Sequence, residues 1–189
     1  KLIADVGLVG LPNAGKSTLL SVISAATPKI AAYPFTTLQP SLGVVDLGNY
    51  ETILVADIPG LIEGAADGIG LGHEFLRHIE RTRVLIHLID GSAEEPLANW
   101  AIINQELALY NTTLGIKLDE RPQLVVFNKM DLADAIAWEP IVEEEVVKAG
   151  YSFISISALT KQNLREMLYK VKEILDEAPP LAFIEESEI

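Results

Sequence analysis

The chain has 189 residues, 49% of them hydrophobic, a formal net charge of −13 and no cysteine. These figures suit one compact globular domain and exclude disulfides, zinc–thiolate sites and thiol catalysis, and the acidity disfavours direct binding to a nucleic-acid backbone. No apolar run approaches the ~18 residues of a membrane span, and a cysteine-free chain of this kind is compatible with a cytoplasmic location.

The chain opens at Lys1 and enters a strand almost at once, so it reads as a domain cut from a longer protein. Residues 3–9 form a buried strand and 16–25 a helix. Residues 26–41 carry Pro28, Pro34 and Pro40 with little apolar period and read as a loop. Two short strands, 42–47 and 52–56, flank a Gly48-Asn49 turn and predict a hairpin. Residues 57–72 hold five glycines and Pro59, which predicts a long loop; 73–82 is helical and 84–89 a strand. A helix follows over 96–111, with Leu97, Trp100, Ala101, Leu107 and Ala108 on or near one face. Residues 123–127 are a strand, and 134–149 are helical in composition, with Pro140 expected to break or restart the helix. A strand over 152–156 precedes the clearest helix, 162–177, where Leu164, Met167, Leu168, Val171 and Leu175 recur at helical spacing. The stretch after Pro179-Pro180 is an acidic tail. The alternation predicts an α/β fold: a mainly parallel sheet of about six strands with helices on both faces and one antiparallel strand.

Gly10-Leu11-Pro12-Asn13-Ala14-Gly15-Lys16-Ser17 matches G-x-x-x-x-G-K-[ST], and it lies between a strand and a helix, as the motif requires. Backbone N–H groups must converge on an anionic phosphate, and the glycines let the chain curl that closely. The helix that begins near Gly15 turns its positive end to the same anion. Lys16 would reach the β- and γ-phosphates of a nucleotide and the Ser17 hydroxyl would ligate Mg²⁺, with Thr18 beside it. The apolar strand before Asp57 ends in Asp57-Ile58-Pro59-Gly60, a D-x-x-G. A carboxylate at the carboxyl end of a sheet strand faces the ligand crevice, where it can hold Mg²⁺, while the Gly60 N–H can bond a γ-phosphate.

Asn128-Lys129-Met130-Asp131 follows the strand 123–127. A carboxylate accepts two hydrogen bonds in a fork, and guanine presents that fork from N1–H and its 2-amino group, which adenine lacks. Asp131 would therefore read the base, Lys129 would lay its stem along the purine face, and Asn128 would tie this loop to the phosphate loop. Ser157-Ala158-Leu159 would complete the pocket, with the Ala158 N–H donating to guanine O6.

In this order and with these strings, the chain resembles the G domain of the Obg GTPases. The carriers are Gly10 to Thr18, Pro28-Lys-Ile-Ala-Ala-Tyr-Pro-Phe-Thr-Thr-Leu38, Asp57-Ile-Pro-Gly-Leu-Ile-Glu-Gly-Ala65 and Gly70-Leu-Gly-His-Glu-Phe-Leu-Arg-His-Ile-Glu-Arg81. The resemblance implies a P-loop G domain over 1–178 with a linker over 179–189, and flanking domains elsewhere in the parent protein. It implies GTP and GDP as ligands and Mg²⁺ as cofactor, held by Ser17, Thr37 and Asp57. Thr37, with Thr36 and Phe35 beside it, belongs to the loop that closes on the γ-phosphate; Lys16, Thr37 and Gly60 are then the catalytic residues. It also implies a large-ribosomal-subunit partner, reached through the parent's other domains, and a role in growth or stress control. In K⁺-activated GTPases an Asn occupies the place of Asn13, so K⁺ is a further candidate cation. Leu61 stands where many GTPases carry a water-orienting Gln, which predicts slow intrinsic hydrolysis.

Other residues have plainer readings. His73 and His78 suit surface or packing roles, Glu63 a solvated loop, and Glu143-Glu144-Glu145 a solvated helix face. Tyr33 and Phe35 can also pack their loop against the core. Two further function classes fit parts of the pattern: a guanine-nucleotide-sensing module with negligible turnover, and an ATP-using phosphotransferase. The intact Asn128–Asp131 string argues against the second.

Overall fold

The computed structural model describes residues 4–31, 40–57, 82–114 and 119–178. The expectations for the loop at 32–39, the glycine-rich segment and helix within 58–81, and the tail lie outside these residues. Among the described residues are seven strands: β1 (Val6–Val9), β2 (Lys29–Ile30), β3 (Ser41–Gly48), β4 (Glu51–Asp57), β5 (Val84–Asp90), β6 (Gln123–Asn128) and β7 (Ser152–Ser155). The helices are α1 (Lys16–Ile23), α2 (Pro96–Leu114), α3 (Ala133–Lys148) and α4 (Leu164–Glu177).

The strands form one sheet in the order β2-β3-β4-β1-β5-β6-β7. β4-β1, β1-β5, β5-β6 and β6-β7 pair in parallel, and β3 runs against its neighbours. The near-continuous apolar runs of β1, β5 and β6 are what a strand covered on both faces needs. On one face α1 and α4 bury Leu19, Leu20, Met167, Val171 and Leu175 against Val6, Leu8, Val55 and Val126. On the other, α3 buries Ala135, Val142 and Val146 against Val125, Phe127 and Phe153, with Trp100 of α2 packed at its side. Arg83 ties the end of α4 to the start of β5, its Nη2 donating to the carbonyls of Leu175 at 2.8 Å and Ala178 at 3.2 Å.

Four expectations need correction. The sheet has seven strands rather than about six, because Lys29–Ile30 pairs with Ser41 and Leu42 of β3 inside the segment read as loop. Both of its residues are exposed, so it has no burial pattern to read. The hairpin turn is Asn49-Tyr50, both at positive φ (52° and 64°), closed by the Gly48–Glu51 pair. Two positive φ values make the type I′ turn that suits strand twist, and a bulge near Gly48 shifts it one residue on from Gly48-Asn49. Pro140 lies inside α3 without ending it. Pro140 has no N–H to give the carbonyl of Ile136, a residue on the exposed side of the helix, while Ala135, Val142 and Val146 bury the helix on both sides of the proline. Finally, the buried stripe of α2 includes Ile103, Glu106 and Leu107, and Ala101 and Ala108 are exposed; small side chains carry little signal of face.

Strand register places the carboxyl ends of the central strands on one edge. Leu8 pairs with Asp57, Val9 with His87 and Asp90 with Asn128. The chain turns outward in opposite directions on either side of β1, which puts a topological switch point at the end of that strand.

Candidate functional site

Residues 10–15 leave β1 at that switch point and curl into α1. A Cβ on Gly10 would stand 2.5 Å from the Leu88 carbonyl oxygen, so only glycine lets β1 pass β5 that closely. Gly15, at φ 101°, would likewise press a Cβ to 2.5 Å from Asn128 Nδ2. Asn13 sits at the exposed loop apex with φ 68°. Lys16 arches back over the loop, its Nζ donating to the carbonyls of Gly10 at 2.8 Å and Leu11 at 3.2 Å. The first turn of α1 carries neither a side-chain cap nor an acidic residue, so its N–H groups and positive dipole end face the loop uncompensated. Leu11 is half-buried; Pro12 and Thr18 are exposed around the same turn.

Ser17 and Asp57 come from α1 and β4, 40 residues apart, and meet with the Ser17 hydroxyl donating to Asp57 Oδ2 at 3.0 Å. Asp57 Oδ1 is buried and has no hydrogen-bond partner among the described residues. Burial raises the Asp57 carboxyl above its ordinary range, against the Ser17 hydroxyl and the Lys16 ammonium, which favour its charged form. The Ser17 hydroxyl and the Asp57 carboxylate, with its Oδ1 unpartnered, are hard-oxygen donors, which fit Mg²⁺. Thr37, the third expected ligand, and Phe35, Thr36, Ile58, Pro59 and Gly60 lie outside the described residues.

Asn128 links the two loops. Its Nδ2 donates to the Ala14 carbonyl at 2.9 Å, and its Oδ1 accepts from the Ala158 N–H at 3.0 Å. In this structure the Ala158 N–H is thus taken up by the buried Asn128 oxygen. Ser157 donates to Asp131 Oδ1 at 2.6 Å and accepts from the Thr160 N–H at 3.1 Å, which orients the exposed carboxylate. Lys129 is held at φ 71°. Met130 lies between Lys129 and Asp131 and is buried. Its side chain packs into the core beside Phe127 and Ala135, and its N–H bonds the Ile156 carbonyl, so it anchors the loop from below. Leu159 is 74% exposed at the rim.

Three residues escaped the sequence reading. Asp90 ends β5, and Ser92 follows two residues later; the Lys129 ammonium lies 2.7 Å from Asp90 Oδ2 and 3.4 Å from the Ser92 hydroxyl. The available signal was an apolar strand ending in Asp and then Gly, the same signal used for Asp57. Burial opposes ionisation of Asp90, but Lys129 and the hydroxyl and N–H of Ser92 outweigh it and hold the carboxyl below its usual range. His87 is 1% exposed, in the middle of β5. With Asn99, Ile103, Leu11 and Pro12 it lines a cavity of about 60 Å³ beside the phosphate loop. Complete burial pushes its pKa down to about 3, and the nearby Gln123 amide offsets only part of that.

Residues 5–129 match the model of the 50S ribosome-binding GTPase family. The chain belongs to that family. Over its whole length this G domain is 53% identical to GTPase Obg of Symbiobacterium thermophilum and 50% identical to GTPase Obg of Bacillus pumilus, covering 44% of each relative. The domain thus spans less than half the length of those curated relatives. Among solved structures, an Aquifex aeolicus Era variant bound to GDP and aluminium fluoride is 28% identical, with a TM-score of 0.63 over 95% of this chain and 58% of that one. The G domain of T. maritima FeoB matches at 19% identity and a TM-score of 0.63 over 91% of this chain and 96% of that one, which establishes likeness of fold. Among the described residues no helix of this G domain is long and apolar enough to cross a membrane.

Proposed function

We propose that this G domain binds GTP and GDP and hydrolyses GTP slowly in the presence of Mg²⁺, as a two-state switch. The observation that carries the proposal is the Asn128 bridge. It ties the loop of residues 10–15 to the segment that carries the exposed, oriented Asp131, so that groups suited to the two ends of a guanine nucleotide lie on one edge of the sheet. The likeness to the Era variant holding GDP and aluminium fluoride supports it.

In this reading the loop N–H groups and Lys16 hold the β- and γ-phosphates, and Lys16 exchanges its bonds to the Gly10 and Leu11 carbonyls for bonds to phosphate oxygens. Ser17 and Asp57 would hold Mg²⁺, which would supply positive charge against the charge that develops on the transferring phosphoryl group. Thr37 and Gly60 close on the γ-phosphate, and its loss releases both loops. The domain occupies 1–178 and a linker 179–189. Within the parent protein the switch acts in the cytoplasm on assembly of the large ribosomal subunit, reached through other domains.

Asp131→Asn tests the base reading. Ser157 can still donate to the Asn oxygen, so the side chain keeps its orientation and presents an amino group where Oδ2 stood. That group faces the guanine 2-amino group, donor against donor, but pairs with the oxygen that xanthine carries there. Each mispaired buried bond costs about 1–3 kcal/mol, so preference should move by one to several decades from GTP toward XTP. Competition of GTP with XTP for the variant measures it; retention of the parent's guanine preference would remove Asp131 from the base-reading role.

Asn13 carries a second, narrower expectation. If the loop apex helps seat a K⁺ ion as a stand-in for an arginine finger, partner-free hydrolysis should be faster in KCl than in NaCl. Identical rates in the two salts would remove K⁺ from the reaction.

A further inference from the structure

The ammonium of Lys129 is pinned from a neighbouring strand. Register pairs Asp90 of β5 with Asn128 of β6, so the residues that follow each strand leave the sheet side by side. The Lys129 side chain crosses that gap to Asp90 Oδ2 at 2.7 Å. The other carboxylate oxygen, Oδ1, accepts from both the Ser92 N–H at 2.8 Å and the Ser92 hydroxyl at 2.6 Å. With both oxygens engaged the carboxylate cannot turn away. Gly91 sets the spacing. Its N–H donates to the Asn128 carbonyl at 3.0 Å, and a Cβ there would lie 2.5 Å from that oxygen and 2.6 Å from Ala135 Cβ.

Lysine has a flexible four-carbon stem that loses about 2 kcal/mol of rotamer freedom when ordered. A stem tethered only at its backbone would sweep solvent. Tethered at both ends, with the backbone in the left-handed region, it becomes a fixed apolar bar beside Asp131. We infer that Asp90, locked by Ser92 and spaced by Gly91, is a positioning residue for guanine recognition, holding the Lys129 stem across the purine face. This rests on the base reading proposed for residues 128–131. Because the base is common to both nucleotides, Asp90 acts on GDP and GTP alike.

The test is a double-mutant cycle on GDP and GTP affinity and on nucleotide release, with Asp90→Asn, Lys129→Met and the pair. Asp90→Asn should weaken both nucleotides by the same factor, about tenfold, as expected for loss of a charge-assisted bond, and should speed release of both. In the Lys129→Met background the Asp90 change should add little. Ser92→Ala should show the same coupling at smaller size, and Ser92→Thr, which keeps the hydroxyl, should restore it. A merely structural role would give losses that add in the double variant. Additive losses, or affinities within twofold of the parent, would overturn the inference. Should Asp90→Asn fail to fold, the Ser92 pair run against Lys129→Met decides by the same criterion. Asp131→Asn is run alongside. If it leaves guanine preference intact, the base reading itself falls; if it shifts preference while the cycle is additive, the positioning role alone falls.

Discussion

Asn128→Ala should cost the domain about 2–6 kcal/mol of folding stability and loosen its grip on nucleotide at both ends. Asn128 is 2% exposed, and its partners Ala14 and Ala158 are 1% and 2% exposed. Removing the amide strands the Ala14 carbonyl and the Ala158 N–H in places where water does not replace the lost bonds. Each stranded group costs about 1–3 kcal/mol, a large share of the roughly 5–15 kcal/mol that holds a domain together. Asn128→Asp separates the two halves of the effect. It keeps an acceptor for Ala158 but puts a carboxylate against the Ala14 carbonyl, so the phosphate-loop side should suffer alone. Urea unfolding of the nucleotide-free proteins gives the stabilities. A loss below ~1 kcal/mol for Asn128→Ala would mean that the bridge is replaced by other partners.

Acid should destabilise the domain through His87. The folded pKa lies near 3, below the 6.5 of a free imidazole. The unfolded chain therefore takes up a proton at His87 that the folded chain refuses. Stability from this group is complete above pH 6.5 and falls as pH drops toward 3, at about 1.4 kcal/mol per unit. Across the window that amounts to about 5 kcal/mol, enough to unfold a domain of ordinary stability. His87→Gln removes the titration and keeps a neutral polar side chain. Its stability, measured by urea unfolding from pH 7 down to pH 4, should fall less steeply than the parent's. Asp90, with its lowered pKa, adds acid loss below the ordinary carboxylate range, and Asp57, with its raised pKa, opposes it. Both are present in the two proteins and cancel in the difference. Parallel pH profiles would show that His87 does not titrate on unfolding.

The corrections to the fold share a cause. β2 is two exposed residues that exist as a strand only because Ser41 and Leu42 lie alongside, and no local preference encodes that pairing. Pro140 was read by its effect on an isolated helix, in which an unbonded carbonyl and a steric clash end the run. Three buried contacts of α3 with the sheet outweigh that penalty. The turn moved by one residue because a bulge inserts itself into β3, and a bulge is a property of two strands rather than one.

The site divides in the same way. Residues whose role is set by chain-local geometry were legible. Gly10 to Ser17 must curl from a strand into a helix, and Asp57 and Asn128 must end strands, so spacing and apolar runs alone locate them. Ser92 and His87 were invisible by that route, and for Asp90 the end of an apolar strand was legible but its partner was not. Asp90 and Lys129 are 39 residues apart and become neighbours only through the β5–β6 register. His87 acquires its depressed pKa only from complete burial beneath the phosphate loop. The partners of Asn128 were likewise a matter of assembly, because a buried amide takes whichever acceptor and donor the packed fold presents, here the Ala14 carbonyl and the Ala158 N–H. By itself, then, the sequence determined the α/β class, the order of the main strands and helices, and the places of the loop after β1, of Asp57 and of the Asn128–Asp131 string, since each depends on periodicity or on a loop a few residues long. Which side chains are tethered to which, and which proton equilibria shift, was decided by the tertiary structure, because those are contacts between strands far apart in the chain and energies set by burial.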